Sequence, residues 1–295
     1  MSTLKGKIAV VAGGTRGAGR GIASKLGEAG ATVYVTGRST REEMSPMQRK
    51  ETIEDTAELV TDAGGHGIPI QVDHTEENQV VDLFNRINKE QNGQLDILIN
   101  DIWGGDPLTN WEKTFGEHDL QDGLQIQKQA VQSHIITSHY AVPLMKKNNK
   151  GLIIEITDGT DYTYRGNFYY SLAKVSNIHM ALAMAADLKD HKITSVAVTP
   201  GFLRSEAMLE LFGVTEENWQ EGAKVEKHFI ASETPFYIGE AIKHLALDPD
   251  VNRFTGNVLS SWQLSEIYNF TDIDGTQPHW GNYFEENVNK NEVDF

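Results

Sequence analysis

The first 36 residues carry the pattern that most restricts the fold of this chain. Residues 7–12 (KIAVVA) form an apolar run typical of a strand buried on both faces of a parallel sheet. A glycine-rich turn at 13–19 (GGTRGAG), a helical run at 20–28 and a second strand at 31–36 follow directly. In such a β-α-β unit, backbone N–H groups and the helix N-terminus can approach a phosphate. The unit predicts an α/β fold of the Rossmann type that binds a dinucleotide through Gly13, Thr15, Arg16, Gly17 and Gly19.

The end of the second strand indicates which dinucleotide is bound. Residues 36–39 read TGRS, so the acidic residue that usually binds the ribose 2′-hydroxyl of NAD is missing and Arg38 is present instead. Arg16 adds a second guanidinium within the turn. The two cations favour NADP, with NAD as the alternative, unless Arg38 only solvates the charged loop 40–50. Asp73, at the end of the third strand, either contacts the adenine amino group or caps the next helix.

The alternation of helices and strands continues to the end of the sheet. Further strands are expected at residues 68–72, 95–100, 151–157, 193–198 and 257–261. Further helices are expected at 51–63, 76–91 and 235–246, with a long or broken helix at 115–147 that ends near Pro143. This order predicts a doubly wound parallel sheet with helices on both faces, in a single domain of residues 1–295.

Two segments lie outside this core pattern. Residues 205–234 are amphipathic and follow a strand end, so they form either a lid over a substrate pocket or a pair of surface helices. Residues 262–295 are rich in aromatic, acidic and asparagine residues without clear periodicity. We expect them to form an extended tail, packed on the core or on a second subunit.

Charge and composition limit the partners of the chain. It has 42 acidic and 26 basic residues, a net charge of −16, which disfavours nucleic acid and anionic membranes. It has no cysteine, so disulfides and thiolate metal sites are excluded, and no metal site is expected. The sequence opens without a signal-peptide core, and no apolar run approaches about 18 residues. A cytoplasmic protein is expected.

Tyr170 and Lys174 are the candidate catalytic pair. They stand four residues apart in a run rich in helix-forming residues, so their side chains point the same way. A phenol with a reference pKa of about 10 is a poor acid or base near neutrality, but a cation within about 4–6 Å lowers that pKa. Because this spacing also occurs by chance on solvated helix faces, the pair alone is weak evidence. Its value depends on the fold around it.

These motifs together resemble the short-chain dehydrogenase/reductase family, in its single-domain branch. The matching residues are Ala12-Gly13-x-x-x-Gly17-x-Gly19, the Asn100 region, Tyr170-x-x-x-Lys174 and Pro200-Gly201, in the order and spacing of the family across residues 6–261. The segment 271–275 (TDIDG), with the Gly105 loop, resembles one subgroup. The resemblance implies that Tyr170 transfers a proton at the substrate oxygen. It also implies that Lys174 holds the nicotinamide ribose and lowers the pKa of the tyrosine.

The sequence departs from the family pattern near the expected reaction centre. Residues 100–103 (NDIW) replace the usual N-N-A-G, which puts Trp103 where a glycine is common. The serine that normally polarises the substrate oxygen is missing. Thr157 or Asp158 takes its place, with Thr160 nearby, and we favour Thr157 because a hydroxyl donates without a change of protonation. The usual helix asparagine is also missing from residues 127–130, where Gln127 is a possible substitute.

The expected function is that of an NADP-dependent oxidoreductase acting on a carbonyl or secondary alcohol. Aromatic residues should line the substrate pocket and favour an apolar or aromatic substrate; they include Trp103, Tyr162, Tyr164, Phe168, Tyr169 and Phe202, together with Met208. The alternative is a catalytically weakened NADP-binding sensor or assembly protein, which the missing serine and asparagine favour. The resemblance also implies a homo-dimer or tetramer.

Overall fold

The computed structural model describes residues 3–45 and 47–288. In these residues one parallel sheet has the strand order β3-β2-β1-β4-β5-β6-β7. Its strands are β1 (Ile8–Ala12), β2 (Thr32–Gly37), β3 (His66–Gln71), β4 (Ile97–Asn100), β5 (Gly151–Ile156), β6 (Ile193–Thr199) and β7 (Val258–Ser260). Ala12 is paired with Thr36 on one side and with Asn100 on the other, so β1 is an interior strand of the sheet.

Helices cover both faces of this sheet. They are α1 (Gly17–Glu28), α2 (Ile53–Asp62), α3 (Glu77–Glu90), α4 (Leu120–Gln127), α5 (Ser133–Asn148), α6 (Phe168–Asp187), α7 (Glu206–Leu211), α8 (Pro235–Leu247), α9 (Ser261–Tyr268) and α10 (Trp280–Asn287). Alternate residues of β1 enter two separate cores, because successive strand side chains point to opposite faces. Ala9 and Val11 pack with α1, α2 and α8, whereas Ile8 and Val10 pack with α3 and α5. The doubly wound α/β fold is therefore confirmed.

The predicted long helix is divided in three and continues past Pro143. Residues 115–119 are not helical, and a π-helical turn at Lys128–Gln132 separates α4 from α5. Pro143 lies inside α5, which ends at Asn148. Proline removes one helical hydrogen bond, but Pro143 faces solvent while Ala141 and Met145 on either side are fully buried. Packing of these two neighbours compensates for the lost bond.

The chain after β7 differs from the expected extended tail. Through Val288 it contains α9 and α10, and it packs on the core of the same chain through Leu264 and Phe270. The Ser260 hydroxyl caps α9, and the aromatic residues of α10 follow helical i, i+3, i+4 spacing, at Trp280, Tyr283 and Phe284. Residues 289–295 of the predicted tail lie outside the described residues. Among the described helices, none is both long and apolar enough to cross a membrane.

Candidate active site at the carboxyl edge of the sheet

A cavity of about 540 Å³ opens at the carboxyl ends of the strands. The strand order reverses there between β1 and β4, which is where open α/β sheets bind ligands. The structure brings most of the predicted site residues to this one cavity. They are Gly13, Thr15, Arg16, Gly17, Arg38, Asp73, Trp103, Thr157, Asp158, Tyr170, Lys174, Pro200, Gly201, Phe202 and Met208.

The glycine-rich turn leaves no room for a side chain at Gly13 or Gly19. A Cβ atom on Gly13, whose φ is +89°, would lie 2.3 Å from the backbone oxygen of Asp101. A Cβ on Gly19 would lie 2.4 Å from the backbone oxygen of Gly13, so Gly19 supports the turn from outside the cavity. The N-terminus of α1 is thereby brought to the cavity wall without a side-chain cap from Arg16. This arrangement is suited to the phosphates of a dinucleotide.

Two guanidinium groups border the cavity near the end of β2. The Arg16 Nη1 atom is buried without a hydrogen-bond partner, and its nearest acid is Glu51, 3.9 Å away. A buried donor without a partner is costly, so this atom is suited to an anionic ligand oxygen. Arg38 lies 4.0 Å from the Asp73 carboxylate, so these two predicted residues contact each other at the edge of the cavity. The residues present therefore fit a nicotinamide dinucleotide, NAD or NADP.

Tyr170 and Lys174 lie on consecutive turns of α6, as their spacing predicted. Asn167 caps this helix by accepting hydrogen bonds from the N–H groups of Tyr169 and Tyr170. The Tyr170 hydroxyl donates to Asp158 Oδ2 at 2.9 Å. Burial raises the pKa of the Tyr170 phenol well above its usual value of 10.0, and the Asp158 charge raises it further. Burial also lowers the pKa of Lys174, while the carboxylates of Asp158 and Asp101 oppose that change.

Thr157 does not face the tyrosine hydroxyl. Its side chain is 2 % exposed, and its Oγ1 donates to the backbone oxygen of Lys174 at 2.7 Å. This bond ties the end of β5 to α6 and engages the only proton of the hydroxyl. Of the alternatives that the sequence left open, Asp158 is the side chain that meets Tyr170. The structure therefore favours Asp158 over Thr157 at the position of the missing serine.

Two indole rings enclose Tyr170. The Trp103 ring lies edge-on to the Tyr170 ring with centroids 5.4 Å apart, and Lys174 Nζ lies 4.6 Å from the Trp103 ring centroid. Trp111, which sequence reasoning did not select, lies on the tyrosine at 5.0 Å. The Trp103 indole N–H donates to Asp106 Oδ1 at 2.5 Å, which fixes the ring. Trp103 thus contacts both Tyr170 and Lys174 and also packs against a small apolar cluster that includes Ile126 and Ala130.

Polar groups beneath the cavity hold the loop that carries Trp103. Asn100 does not line the cavity; its amide donates to Glu155 Oε1 at 2.7 Å and to the Ser138 hydroxyl. Glu155 Oε2 is 2.6 Å from His134 Nδ1, and His134 Nε2 is 3.0 Å from the backbone oxygen of Ile102. An acid within the apolar strand at 151–157 was the only sequence signal for this network. Asn100 is therefore linked, through Glu155 and His134, to the backbone of the loop that carries Trp103.

Asp101 is a further site residue that the sequence marked only as a departure from the family motif. It lines the cavity beside the glycine-rich turn. Burial raises the pKa of its carboxyl to about 7, although the Lys174 charge and a hydrogen bond from the Gly19 backbone lower it. Near neutral pH the charge at the cavity floor therefore depends on Asp101.

Several predicted residues lie away from the cavity, and others were missed. Tyr164 is 56 % exposed and does not line the cavity. It lies on a loop in which the Arg165 guanidinium donates to two backbone oxygens. Tyr162 and Phe168 are also exposed, and Tyr169 is buried against other aromatic rings. Gln127 donates to the Tyr169 backbone oxygen. The cavity is lined instead by Gln129, from the π-helical turn, and by Trp280, from α10.

Comparisons with known proteins agree with this geometry. The family model for short chain dehydrogenase matches residues 7–213. The mouse protein dehydrogenase/reductase SDR family member 1 is 32 % identical over 93 % of this chain and 86 % of its own length. A 7alpha-hydroxysteroid dehydrogenase of Clostridium sardiniense is 30 % identical over 71 % of this chain and 76 % of its own.

Solved structures show the same fold. The crystal structure of a short chain dehydrogenase homolog from Mycobacterium thermoresistibile superposes with a TM-score of 0.78 at 23 % identity, over 95 % of this chain and 93 % of that one. The resemblance inferred from the motifs is thus confirmed, including the subgroup of dehydrogenase/reductase SDR family member 1. The chain belongs to the short-chain dehydrogenase/reductase family of NAD(P)-dependent oxidoreductases.

Proposed function

We propose that this protein is an NADP-dependent oxidoreductase that transfers a hydride between the nicotinamide and a carbonyl or secondary alcohol. One observation carries the proposal: Tyr170, Lys174 and Asp158 meet in the same cavity as the glycine-rich turn and two arginines. The cavity therefore joins a proton-transfer group to a phosphate-binding end. Neither half alone would specify this chemistry.

Different residues of the cavity would bind different parts of the dinucleotide. The turn at Gly13 and Gly17 would hold the diphosphate, and Arg16 and Arg38 the 2′-phosphate. Asp73 would lie at the adenine end, and the Pro200–Gly201 segment at the nicotinamide end. When bound, the cofactor supplies or accepts the hydride.

The protein itself handles the proton. Tyr170 donates its hydroxyl proton to the substrate oxygen during carbonyl reduction and receives it back during alcohol oxidation. Burial and the Asp158 charge oppose the phenolate, whereas the positive charge of Arg165 favours it. Because the pKa of Tyr170 is raised, the neutral phenol dominates near pH 7. Near pH 7 the phenol can therefore donate the proton that carbonyl reduction needs. Alcohol oxidation needs the phenolate, so it should require alkaline pH.

The substrate is expected to be apolar or aromatic. Trp103, Phe202, Met208 and Trp280 supply apolar surface to the cavity, and Trp103 lies against the tyrosine. The similar bacterial protein named for a 7alpha-hydroxysteroid suggests a cyclic secondary alcohol or ketone. A panel of apolar cyclic ketones, with charged keto acids for comparison, would test this through the loss of NADPH absorbance. Turnover confined to the keto acids would contradict the proposed substrate class.

The preference for NADP is testable at Arg38. Arg38→Ala should weaken NADP binding by roughly tenfold or more, since a charge-assisted hydrogen bond contributes about 1.5–3 kcal/mol. NAD affinity should be unchanged, because NAD has no 2′-phosphate. Calorimetric titration of both cofactors gives the two dissociation constants. The control is Arg41→Ala, which removes a nearby cation whose partners are Asp55 and Glu58. Equal NADP affinity in wild type and Arg38→Ala would exclude the role of Arg38.

A catalytically weakened NADP-binding protein is the second candidate. The hydrogen bond from Tyr170 to Asp158 favours it, because a carboxylate at this position repels negative charge that develops on the substrate oxygen. Tight NADP binding without turnover of any carbonyl in the panel would support this candidate over the first.

A homo-oligomer is expected in solution. The family commonly pairs subunits through the helices that correspond to α4, α5 and α6, and here these helices expose large apolar side chains. These are Leu120, Leu124, Ile135, Leu172 and Leu182, each more than 40 % exposed. Symmetric closure would bury them. Light scattering at micromolar concentration should give a dimer or tetramer; a monomer near 32.8 kDa would contradict the prediction.

A further inference from the structure

A carboxylate from the 205–234 segment lies on the N-terminus of α1. Glu206, the first residue of α7, accepts a hydrogen bond from the Gly17 N–H through Oε2 at 2.8 Å. Its other oxygen, Oε1, lies 3.8 Å from Arg20 Nη1 in the first turn of α1. Gly17 and Glu206 line the same cavity although they are 189 residues apart. The contact therefore joins this segment to the phosphate-binding turn.

The contact has the chemistry of a bound phosphate. A helix N-terminus attracts anions because its first N–H groups lack helical partners and carry the positive end of the dipole. The first turn of α1 contains no acidic residue, and Arg16 does not cap it. Glu206 supplies the missing anion, with one oxygen on a backbone N–H and the other near a guanidinium. A dinucleotide diphosphate also carries negatively charged oxygens and would be attracted to the same helix N-terminus.

We propose that Glu206 is a built-in competitor of the cofactor diphosphate, which must displace this carboxylate from the N-terminus of α1 in order to bind. The inference rests on the proposed dinucleotide function. Cofactor binding thereby releases the start of α7 from α1, while Glu210 near the other end of α7 stays paired with Arg49.

The base of the segment can remain in place during this release. Leu203 and Glu233 form a β-bridge, and backbone hydrogen bonds join Arg204 to Glu233 and Glu233 to Phe202. Arg204 is 2 % exposed and donates to the Ser232 backbone oxygen. Glu206 lies two residues beyond this fixed base, on a helix of six residues. A rotation of its side chain, or a small shift of α7, is enough to vacate the helix N-terminus.

The first test measures affinity rather than turnover. Glu206→Gln keeps the shape of the side chain but removes its charge, and it should bind NADPH roughly three- to tenfold more tightly than wild type. Adenosine 2′-phosphate, which has no diphosphate, should bind both proteins equally. Glu217→Gln makes the same charge change at an exposed position of the same segment and should leave both affinities unchanged. Calorimetry or fluorescence titration gives each dissociation constant.

Thermal unfolding separates competition from simple packing. Because Glu206 stabilises only the cofactor-free protein, Glu206→Gln should lower the melting temperature without NADPH and leave it unchanged at saturating NADPH. Equal NADPH affinity in wild type, Glu206→Gln and Glu217→Gln would overturn the inference while leaving dinucleotide binding intact. A melting temperature lowered equally in both states would also overturn it. If neither wild type nor Glu206→Gln binds NADPH or NADH, the proposed function fails and the inference with it.

Discussion

Replacing Tyr170 by phenylalanine is expected to lower turnover by about 10²–10⁴-fold, the usual contribution of a positioned general acid. The change removes the hydroxyl that points towards Asp158 and leaves the ring between Trp103 and Trp111. Cofactor affinity should therefore stay within a few-fold of wild type. Steady-state rates of NADPH-dependent ketone reduction, together with a cofactor titration, measure both quantities.

Tyr169→Phe is the matched control for this experiment. It removes the same group from the adjacent residue, whose ring is buried against His118 and Gly123 outside the cavity. We expect its turnover to remain close to that of wild type. If Tyr170→Phe retains the turnover of Tyr169→Phe, Tyr170 is not the acid and the enzymatic proposal loses its main support.

Asp158→Asn is expected to shift the pH profile of alcohol oxidation to lower pH. The Asp158 charge raises the pKa of Tyr170, so neutralising it lowers that pKa and forms the phenolate at a lower pH. A shift of at least about one unit corresponds to a tenfold faster oxidation at a fixed pH below the pKa. Rates of alcohol oxidation with saturating NADP, measured across the alkaline range, report this shift. Burial of the phenol remains, so the pKa should stay above that of free tyrosine.

Thr157→Val is the control one residue earlier. It deletes the hydrogen bond to the Lys174 backbone oxygen, which contributes about 0.5–1.5 kcal/mol to stability. Turnover should change less than tenfold, and the pH profile should keep its position. A loss of 10² or more in Thr157→Val, with an unchanged profile in Asp158→Asn, would restore Thr157 as the donor and reject Asp158.

Local sequence was enough to predict the strands, the glycine-rich turn and the common direction of Tyr170 and Lys174 on one helix. Runs such as IAVVA at β1 are apolar at every position, which in a chain of this length suits strands buried on both faces. The spacing of Tyr170 and Lys174 fixes their common direction because helix geometry is local. Local propensity was wrong at Pro143, where it predicted the end of a helix. Because Ala141 and Met145 are buried in the core, α5 continues to Asn148.

The remaining site depended on contacts that no local pattern encodes. Thr157 and Asp158 are adjacent, and only the packing of α6 against the end of β5 directs one to the Lys174 backbone and the other to Tyr170. Trp280 and Glu206 reach the cavity from elements far along the chain. Sequence thus determined the fold and the common direction of Tyr170 and Lys174, because periodicity and helix spacing are local properties. Tertiary structure decided the partner of the tyrosine and the anion at the phosphate-binding turn, because both depend on how distant elements pack.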